Sequence, residues 1–180
     1  MIRFLYLFFL STLILTNNIN AKENIMILKL KDGDVKIEMF EDVAPNHVKR
    51  ITELANSGKY DNVVFHRVIE GFMAQTGDVQ FGNSSSKDFD LSKAGIGGSN
   101  LPDLKEEFNN IPHERGTVSM ARSSDPNSAN SQFFICFKEA PFLDRQYTVF
   151  GKVIQGMEYV DLIKKGSGSN GEVVDPDMII

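Results

Sequence analysis

The stretch Phe65-His-Arg-Val-Ile-Glu-Gly-Phe-Met-Ala-Gln-Thr-Gly-Asp78 places one permanently charged side chain among large apolar groups. Side chains alternate between the two faces of an extended strand. The spacing therefore predicts a strand over 63–69 in which Arg67 shares a face with Phe65 and points away from His66. A guanidinium between apolar faces needs a partner or a groove, because unpaired burial of a charge is costly. Such a position suits a site for a neutral, apolar substrate.

Two further stretches decide how this arginine is interpreted, since a lone arginine in a strand is more often a structural ion-pair or snorkelling residue. They are Ser119-Met-Ala-Arg-Ser-Ser-Asp-Pro-Asn-Ser-Ala-Asn-Ser-Gln-Phe-Phe-Ile-Cys136 and Phe142-Leu-Asp-Arg-Gln-Tyr-Thr-Val-Phe-Gly-Lys-Val153. Together the three stretches closely resemble the cyclophilins, the peptidyl-prolyl cis-trans isomerases. The resemblance runs from about Ile25 to the end of the chain, in the same order and with similar spacing.

The N-terminus has the three-part build of a secretory signal peptide: Arg3, an apolar run from Phe4 to Leu15, and a polar end at Ala21. The apolar run is shorter than the ~20 residues that a membrane-spanning helix needs. We therefore predict a signal peptide over 1–21, with cleavage after Ala21, and one domain over 22–180. Together with the resemblance to bacterial cyclophilins, this signal peptide predicts export to the periplasm of a Gram-negative-type bacterium, with no stable membrane insertion after cleavage.

The predicted mature chain is acidic. Removal of residues 1–21 takes away one basic residue, Arg3, from 19 and none of the 24 acidic ones, so residues 22–180 carry a net charge of −6. This charge argues against nucleic acid as a partner. A single cysteine, Cys136, excludes an internal disulfide, and its apolar neighbours predict a buried, unreactive thiol.

The hydrophobic pattern predicts mainly β structure. Runs over 25–31 and 35–40 flank Asp32-Gly33 and predict a β-hairpin. Pro45 suits the first turn of a helix that ends at Gly58. Further strands are predicted over 63–69, 72–76, 117–121, 131–137 and 147–154, a surface loop over 81–98, and a second short helix over 157–165.

These elements fit a barrel or a sandwich, and the pattern alone does not separate the two. The resemblance implies a closed eight-stranded antiparallel β-barrel capped by two α-helices. The chain ends at Ile180, within the predicted closing strand, where cyclophilins usually continue for a few residues. A truncated closing strand would leave an unpaired edge at the seam of the barrel.

The resemblance also implies the site. It assigns catalysis to Arg67, with Gln75 and Phe72 beside it. The proline pocket would be formed by Phe72, Met73, Phe134 and Leu143. The peptide backbone would be bonded by the amides of Gln75 and Gln132. The groove would be lined by Ala121 and Arg122. Phe142, Tyr147 and Arg122 stand where many members have tryptophan, histidine and asparagine. Loss of the indole N–H puts tight cyclosporin binding in doubt.

Isomerisation makes and breaks no bond, so we expect neither metal nor cofactor. His47, His66 and His113 have no zinc-site spacing, and no Gly-Xaa-Ser-Xaa-Gly motif indicates a hydrolase. The expected partners are proline-containing unfolded or partly folded polypeptides, and the expected state is a monomer. Two alternatives remain open: a non-catalytic proline-peptide-binding module or holdase, and an interaction domain that uses the 81–98 loop.

Overall fold

Seven strands and two helices follow the order that the sequence predicts. The computed structural model describes residues 24–180, so the predicted signal peptide over 1–21 lies outside it. The strands are β1 (Ile25–Leu30), β2 (Gly33–Met39), β3 (Arg67–Ile69), β4 (Met73–Thr76), β5 (Thr117–Met120), β6 (Phe133–Cys136) and β7 (Val149–Gln155), and the helices are α1 (Pro45–Asn56) and α2 (Met157–Leu162). A single 3-10 turn covers Pro141–Leu143.

The strands form one curled sheet in the order β1-β2-β7-β5-β6-β4-β3, and every pair of neighbours is antiparallel. Alternate residues of each strand point to the inside of this sheet and bury a single large core. In β6, Phe133 and Ile135 belong to that core, whereas Phe134 and Cys136 face outward.

Both helices contribute apolar side chains to the same core. The apolar positions of α1, Val48, Ile51 and Leu54, recur at helical spacing and are buried. Pro45 occupies the first turn as predicted. The second helix, α2, is shorter than predicted and ends at Leu162, but Val160 still packs into the core.

The sheet has seven strands rather than the predicted eight, and a closed barrel is not confirmed. The predicted eighth strand is an irregular C-terminal segment. It bonds to both edges of the sheet: Ile180 N donates to Lys29 O at 3.0 Å, and Phe65 N donates to Asp177 O at 2.8 Å. Only isolated bridges, such as Val64 with Met178, arise there, because the bonds are too few to form a ladder.

The predicted strand over 63–69 is also interrupted, which corrects the expected side-chain directions. Regular pairing covers only β3, and residues 65–66 lie outside any strand. Phe65 and Val68 both lie in the inner core, so the alternation shifts by one residue between them. Arg67 therefore does not share a face with Phe65. The irregularity turns Arg67 to the outside of the sheet.

Within residues 24–180, no helix is both long and apolar enough to cross a membrane.

Candidate active site

A second, smaller apolar cluster lies on the outer face of the sheet. Its buried members come from β4, β6 and the segment around the 3-10 turn: Met73, Phe134, Cys136, Ala140 and Leu143. Partly buried Ile69, Phe72, Ala121 and Tyr147 pack against them. Outward-facing side chains of a sheet are normally solvated, so this cluster is a place where apolar surface is kept available.

A groove of about 410 Å³ opens over this cluster. Every site residue predicted from the sequence, except Gln132, lines it: Arg67, Phe72, Met73, Gln75, Ala121, Arg122, Phe134, Phe142, Leu143 and Tyr147. Gln146 also lines it and was not predicted. No single motif could place Gln146 there, because its position depends on how the 3-10 turn is packed against the sheet.

Arg67 is held at the edge of the groove by neutral partners. Its Nε donates to the Asn170 carbonyl oxygen at 2.9 Å, and Nη1 donates to Gln75 Oε1 at 3.2 Å. Within residues 24–180 it forms no ion pair, and Nη2 has no hydrogen-bond acceptor. Partial burial lowers the pKa of Arg67, yet a guanidinium stays protonated. The groove thus contains a cation with an unused donor.

A chain of hydrogen bonds connects Arg67 to the 81–98 loop. Gln75 Nε2 donates to Gln132 Oε1 at 2.9 Å. Gln132 Nε2 donates to the carbonyl oxygens of Gly95 and Gly97 at 2.9 and 2.7 Å. In each amide the oxygen accepts a hydrogen bond on one side and the nitrogen donates on the other. The bonds therefore fix which end of each amide is oxygen and which is nitrogen. Gln132 therefore supports Gln75 from behind instead of lining the groove over the cluster.

The loop itself is anchored by a buried carboxylate, Asp78. Asp78 Oδ1 accepts hydrogen bonds from the backbone N–H groups of Gln80 and Phe81, and Oδ2 accepts them from Gly95 and Gly97 at 2.8 and 2.9 Å. A Cβ atom on Gly97 would lie 2.5 Å from Asp78 Oδ1, so only glycine fits there. This supporting role of Asp78 has no local signal in the sequence and was not predicted.

A second groove, of about 310 Å³, continues from the first. The two share Gln75, Ala121 and Arg122. Apart from Ile96, the rest of the second groove is lined by small or polar residues of two loops, Gly95, Gly97, Ser123, Ser128, Asn130 and Gln132. Two large apolar side chains stand exposed, one beside each groove: Phe142 is 64% exposed and Ile96 is 78% exposed. Together the grooves can hold an extended peptide.

Aromatic side chains shape the walls of the first groove. Phe72 and Phe142 have ring centroids 5.5 Å apart, and Phe134 and Tyr147 meet edge to face at 5.9 Å. The Arg122 guanidinium lies over the Tyr147 ring, 4.4 Å from its centroid. The positions that differ from the best-known members, Phe142, Tyr147 and Arg122, therefore all line this groove and contact one another or the pocket.

Behind Phe134 lies a buried polar group that the sequence did not reveal. The His113 ring stacks on Phe134, with centroids 6.1 Å apart. His113 Nδ1 contacts Asp144 Oδ1 at 2.9 Å, and Nε2 contacts Ser119 Oγ at 3.1 Å. The arrangement has the order of a hydrolytic triad, but Ser119 is fully buried, so its hydroxyl cannot meet a substrate. The three residues brace the pocket.

The remaining candidate groups are unsuited to acid–base or metal chemistry. Burial raises the pKa of the Cys136 thiol to about 12, so it stays protonated. Burial lowers the pKa of His66 to about 4, so its ring is neutral near pH 7. Within residues 24–180, no three His, Cys, Asp or Glu side chains are grouped as metal ligands would be.

Comparison with known proteins identifies the class to which this fold and groove belong. Residues 25–180 match the family model described as cyclophilin type peptidyl-prolyl cis-trans isomerase/CLD. The chain belongs to this family.

Relatives and solved structures agree with this assignment. A probable peptidyl-prolyl cis-trans isomerase of Brucella suis is 62% identical over 88% of this chain and 81% of its own. Peptidyl-prolyl cis-trans isomerase A of Dickeya dadantii is 39% identical over 81% of this chain and 73% of its own. A cyclophilin from Hirschia baltica superposes with a TM-score of 0.71 at 27% identity, covering 87% of this chain and 72% of its own. A Cryptosporidium parvum cyclophilin, solved in the presence of the dipeptide Ala-Pro, also reaches 0.71, at 29% identity over 86% of this chain and 94% of its own.

Proposed function

We propose that this cyclophilin accelerates rotation about Xaa-Pro bonds by binding the twisted amide through Arg67 and the apolar groove. As the C–N bond twists, amide resonance is lost and the prolyl nitrogen gains a lone pair. Arg67 donates a hydrogen bond to that lone pair, while Phe72, Met73, Phe134 and Leu143 hold the proline ring. Gln75 positions the guanidinium, and the substrate backbone meets Gln75 between the two grooves and Gln132 in the second groove.

The energy required is within reach of such a site. Unaided Xaa-Pro bonds turn over at about 0.01 per second, and an ordinary enzyme reaches ~10 to 10³ per second, a difference of roughly 4 to 7 kcal/mol. Only interactions that are stronger with the twisted amide than with either planar form contribute to this difference. A charge-assisted hydrogen bond inside a partly desolvated groove is of that kind.

One observation carries the proposal: Arg67 is a cation beside an apolar pocket with no acidic partner and an unused Nη2 donor within residues 24–180. An unpaired charge in partly buried surroundings is costly, and at Arg67 that cost leaves a donor free beside the pocket. A mere binder of apolar peptides would gain nothing from that cost. This favours the isomerase over the alternative of a non-catalytic binding module or holdase.

The test is isomerisation of an Ala-Pro peptide by the chain from Lys22, compared with Arg67→Ala and with Arg115→Ala. Arg115 is the matched control, because it pairs with Asp161 away from the groove. We expect strong acceleration by the wild type and by Arg115→Ala. In Arg67→Ala, kcat/KM falls at least tenfold, about the value of one hydrogen bond to a charged group.

Circular dichroism must show that all three proteins are folded. Equal activity of the wild type and Arg67→Ala would contradict the role of Arg67 and leave the isomerase intact. A folded wild type without any acceleration would instead favour the binding module.

We also propose that the protein is exported and acts as a monomer on unfolded or partly folded proline-containing chains in the periplasm. Proline isomerisation is slow enough to limit folding, which gives such an enzyme a use there. The signal-peptide pattern over 1–21 supports export. N-terminal sequencing of the protein from a periplasmic extract is expected to begin at Lys22, and a start at Met1 would oppose export.

The closing of the barrel is a further part of the proposal. The C-terminal segment hydrogen-bonds to β1 and to the chain just before β3, which supports its role as an eighth strand that closes the sheet. Protection of the Ile180 and Phe65 amides from hydrogen exchange, at the level of the core strands, is the expected result. Rapid exchange at both would leave the sheet open.

A further inference from the structure

Arg122 is the second cation of the substrate-binding surface, and the reaction described above gives it no task. It is one of three residues that line both grooves. No Asp or Glu among residues 24–180 lines either groove, although the chain as a whole carries a net charge of −5. Asp125, the nearest acid along the chain, lines neither. The two grooves together form a positive surface on an acidic protein.

The partners of Arg122 hold its guanidinium in place but do not neutralise it. Nε and Nη2 donate to the Gln146 carbonyl oxygen at 3.1 and 2.9 Å, and Nη1 donates to Ser123 O at 2.8 Å. The Tyr147 ring lies beneath. Carbonyl oxygens and an aromatic face satisfy donors without removing the net charge, and no carboxylate pairs with Arg122 within residues 24–180. Its field therefore reaches the grooves.

The direction of a bound peptide follows from where the prolyl nitrogen sits. That nitrogen lies beside Arg67 in our proposed mechanism, and the preceding residue is attached to it. Gln75 bonds to Arg67 and also lines the second groove. The chain that precedes proline therefore leaves past Gln75 into the second groove, where Arg122 forms part of the wall. Side chains one or two positions before proline come nearest to Arg122.

We infer that Arg122 is a specificity residue, which makes this isomerase favour substrates with an acidic side chain one or two positions before proline. The inference rests on the proposed function, since it takes the position of the prolyl nitrogen from it. The ligand class is thus acidic proline-containing segments. A Glu side chain near a fixed guanidinium gains an attraction that a Gln side chain of equal size does not.

The experiment compares peptide pairs that differ only by Glu or Gln, at the position directly before proline and at the one preceding it. The readout is the ratio of kcat/KM for Glu over Gln, measured at about 10 mM and about 1 M salt, where screening lengths differ tenfold. We expect a wild-type ratio of about two- to fivefold at low salt for at least one position, the size of a partly screened ion pair. The ratio approaches one at high salt.

Three variants assign the effect. In Arg122→Gln the low-salt ratio falls to one. Arg122→Lys keeps the charge and retains most of the ratio, which separates charge from the stacking on Tyr147. Lys49→Gln removes an equal charge from the exposed face of α1 and keeps the wild-type ratio. Because each ratio is taken within one variant, a change in overall activity cancels.

The outcomes distinguish a failure of the Arg122 inference from a failure of the proposed isomerase function. A wild-type ratio of one at both positions, with clear isomerisation of both peptides, overturns the role of Arg122 and leaves the isomerase standing. A preference that survives in Arg122→Gln does the same. Absence of isomerisation with every peptide overturns the proposed function itself.

Discussion

The inner and outer faces of β4 and β6 are built from consecutive residues and have opposite uses. Ala74, Phe133 and Ile135 point inward and lie fully buried in the large core. Met73 and Phe134, their direct neighbours, point outward into the small cluster beneath the groove. Both sets are apolar and nearly inaccessible to water. The inner set is enclosed on all sides by the protein, whereas the outer set has one open side.

This difference shows that burial alone does not separate a core from a site. An enclosed side chain stabilises the fold through contacts that cannot be replaced by water. A side chain at the base of a groove gives up some of those contacts, and the surface it leaves uncovered can take a ligand. Substitutions on the two faces should therefore affect different measurements.

The largest effect is expected from a pair of neighbours. Phe133→Ala removes an enclosed ring and should lower the free energy of unfolding by about 3–5 kcal/mol, with kcat/KM per folded molecule nearly unchanged. Phe134→Ala should cost less stability, because water or a ligand can enter the space, but should lower kcat/KM strongly. Urea unfolding and isomerisation assays on both variants check this. Similar stability losses in the two would remove the distinction between the faces.

A smaller effect concerns His66, which lies just before β3 and is buried although it does not join the inner core. A Cβ atom on Gly95 would come within 3.0 Å of its ring, so the loop covers it. Both ring nitrogens lack a hydrogen-bond partner within residues 24–180. Burial lowers the pKa of His66 to about 4. Protonation of His66 therefore opposes folding, since the unfolded chain binds the proton more readily.

The pH dependence follows with a definite sign. Above the unfolded value of 6.5, both states are neutral and His66 has no effect. As the pH falls from 6.5 to 4, stability is lost, up to about 3 kcal/mol at and below pH 4. Burial also lowers the pKa values of His47 and His113, so they act in the same direction. Unfolding at pH 7, 5.5 and 4.5 should show a shallower decline in His66→Gln than in the wild type. Parallel curves of the unfolding free energy against pH would exclude His66 as a source of the stability loss in acid.

The smallest effect is expected from a substitution that adds one charge to the outer face. Gln75→Glu keeps the size of the side chain, puts a carboxylate 3.2 Å from Arg67 Nη1, and removes the Nε2 donor to Gln132. The guanidinium then gains an acidic partner, and we expect kcat/KM to fall about tenfold because a charge-assisted bond competes with the substrate. Gln146→Glu is the matched control, since Gln146 lines the groove without bonding to Arg67. An equal fall in both variants would indicate a general effect of negative charge.

Much of the fold could be predicted from the sequence, because local signals were strong. The Asp32-Gly33 turn and Pro45 gave the hairpin and α1 within a few residues of their bounds. The three motifs predicted ten residues that the structure brings together around one groove.

What failed depends on contacts between distant parts of the chain. The irregularity at residues 65–66 leaves no trace in the run Val63-Val-Phe-His-Arg-Val-Ile69, which contains no Gly or Pro, so the direction of Arg67 relative to Phe65 was predicted wrongly. The C-terminal segment has strand-like composition, but its pairing depends on both edges of the sheet. The His113 and Asp144 contact spans 31 residues, and nothing local indicates it.

The Asp78 carboxylate influences where this chain can accept inserted residues. By holding Phe81 and Gly95 together, it closes the segment between them into a loop of its own, separate from the hydrogen-bond chain that leads to Arg67. Loop-closure entropy grows only with the logarithm of length, so doubling such a loop costs about 0.6 kcal/mol. Residues 82–84 hydrogen-bond to residues 61–64, whereas Lys87 and Asp88 lie beyond those bonds. Insertions between Lys87 and Asp88 would therefore be absorbed locally, and this point suits the attachment of an epitope, a label or another domain.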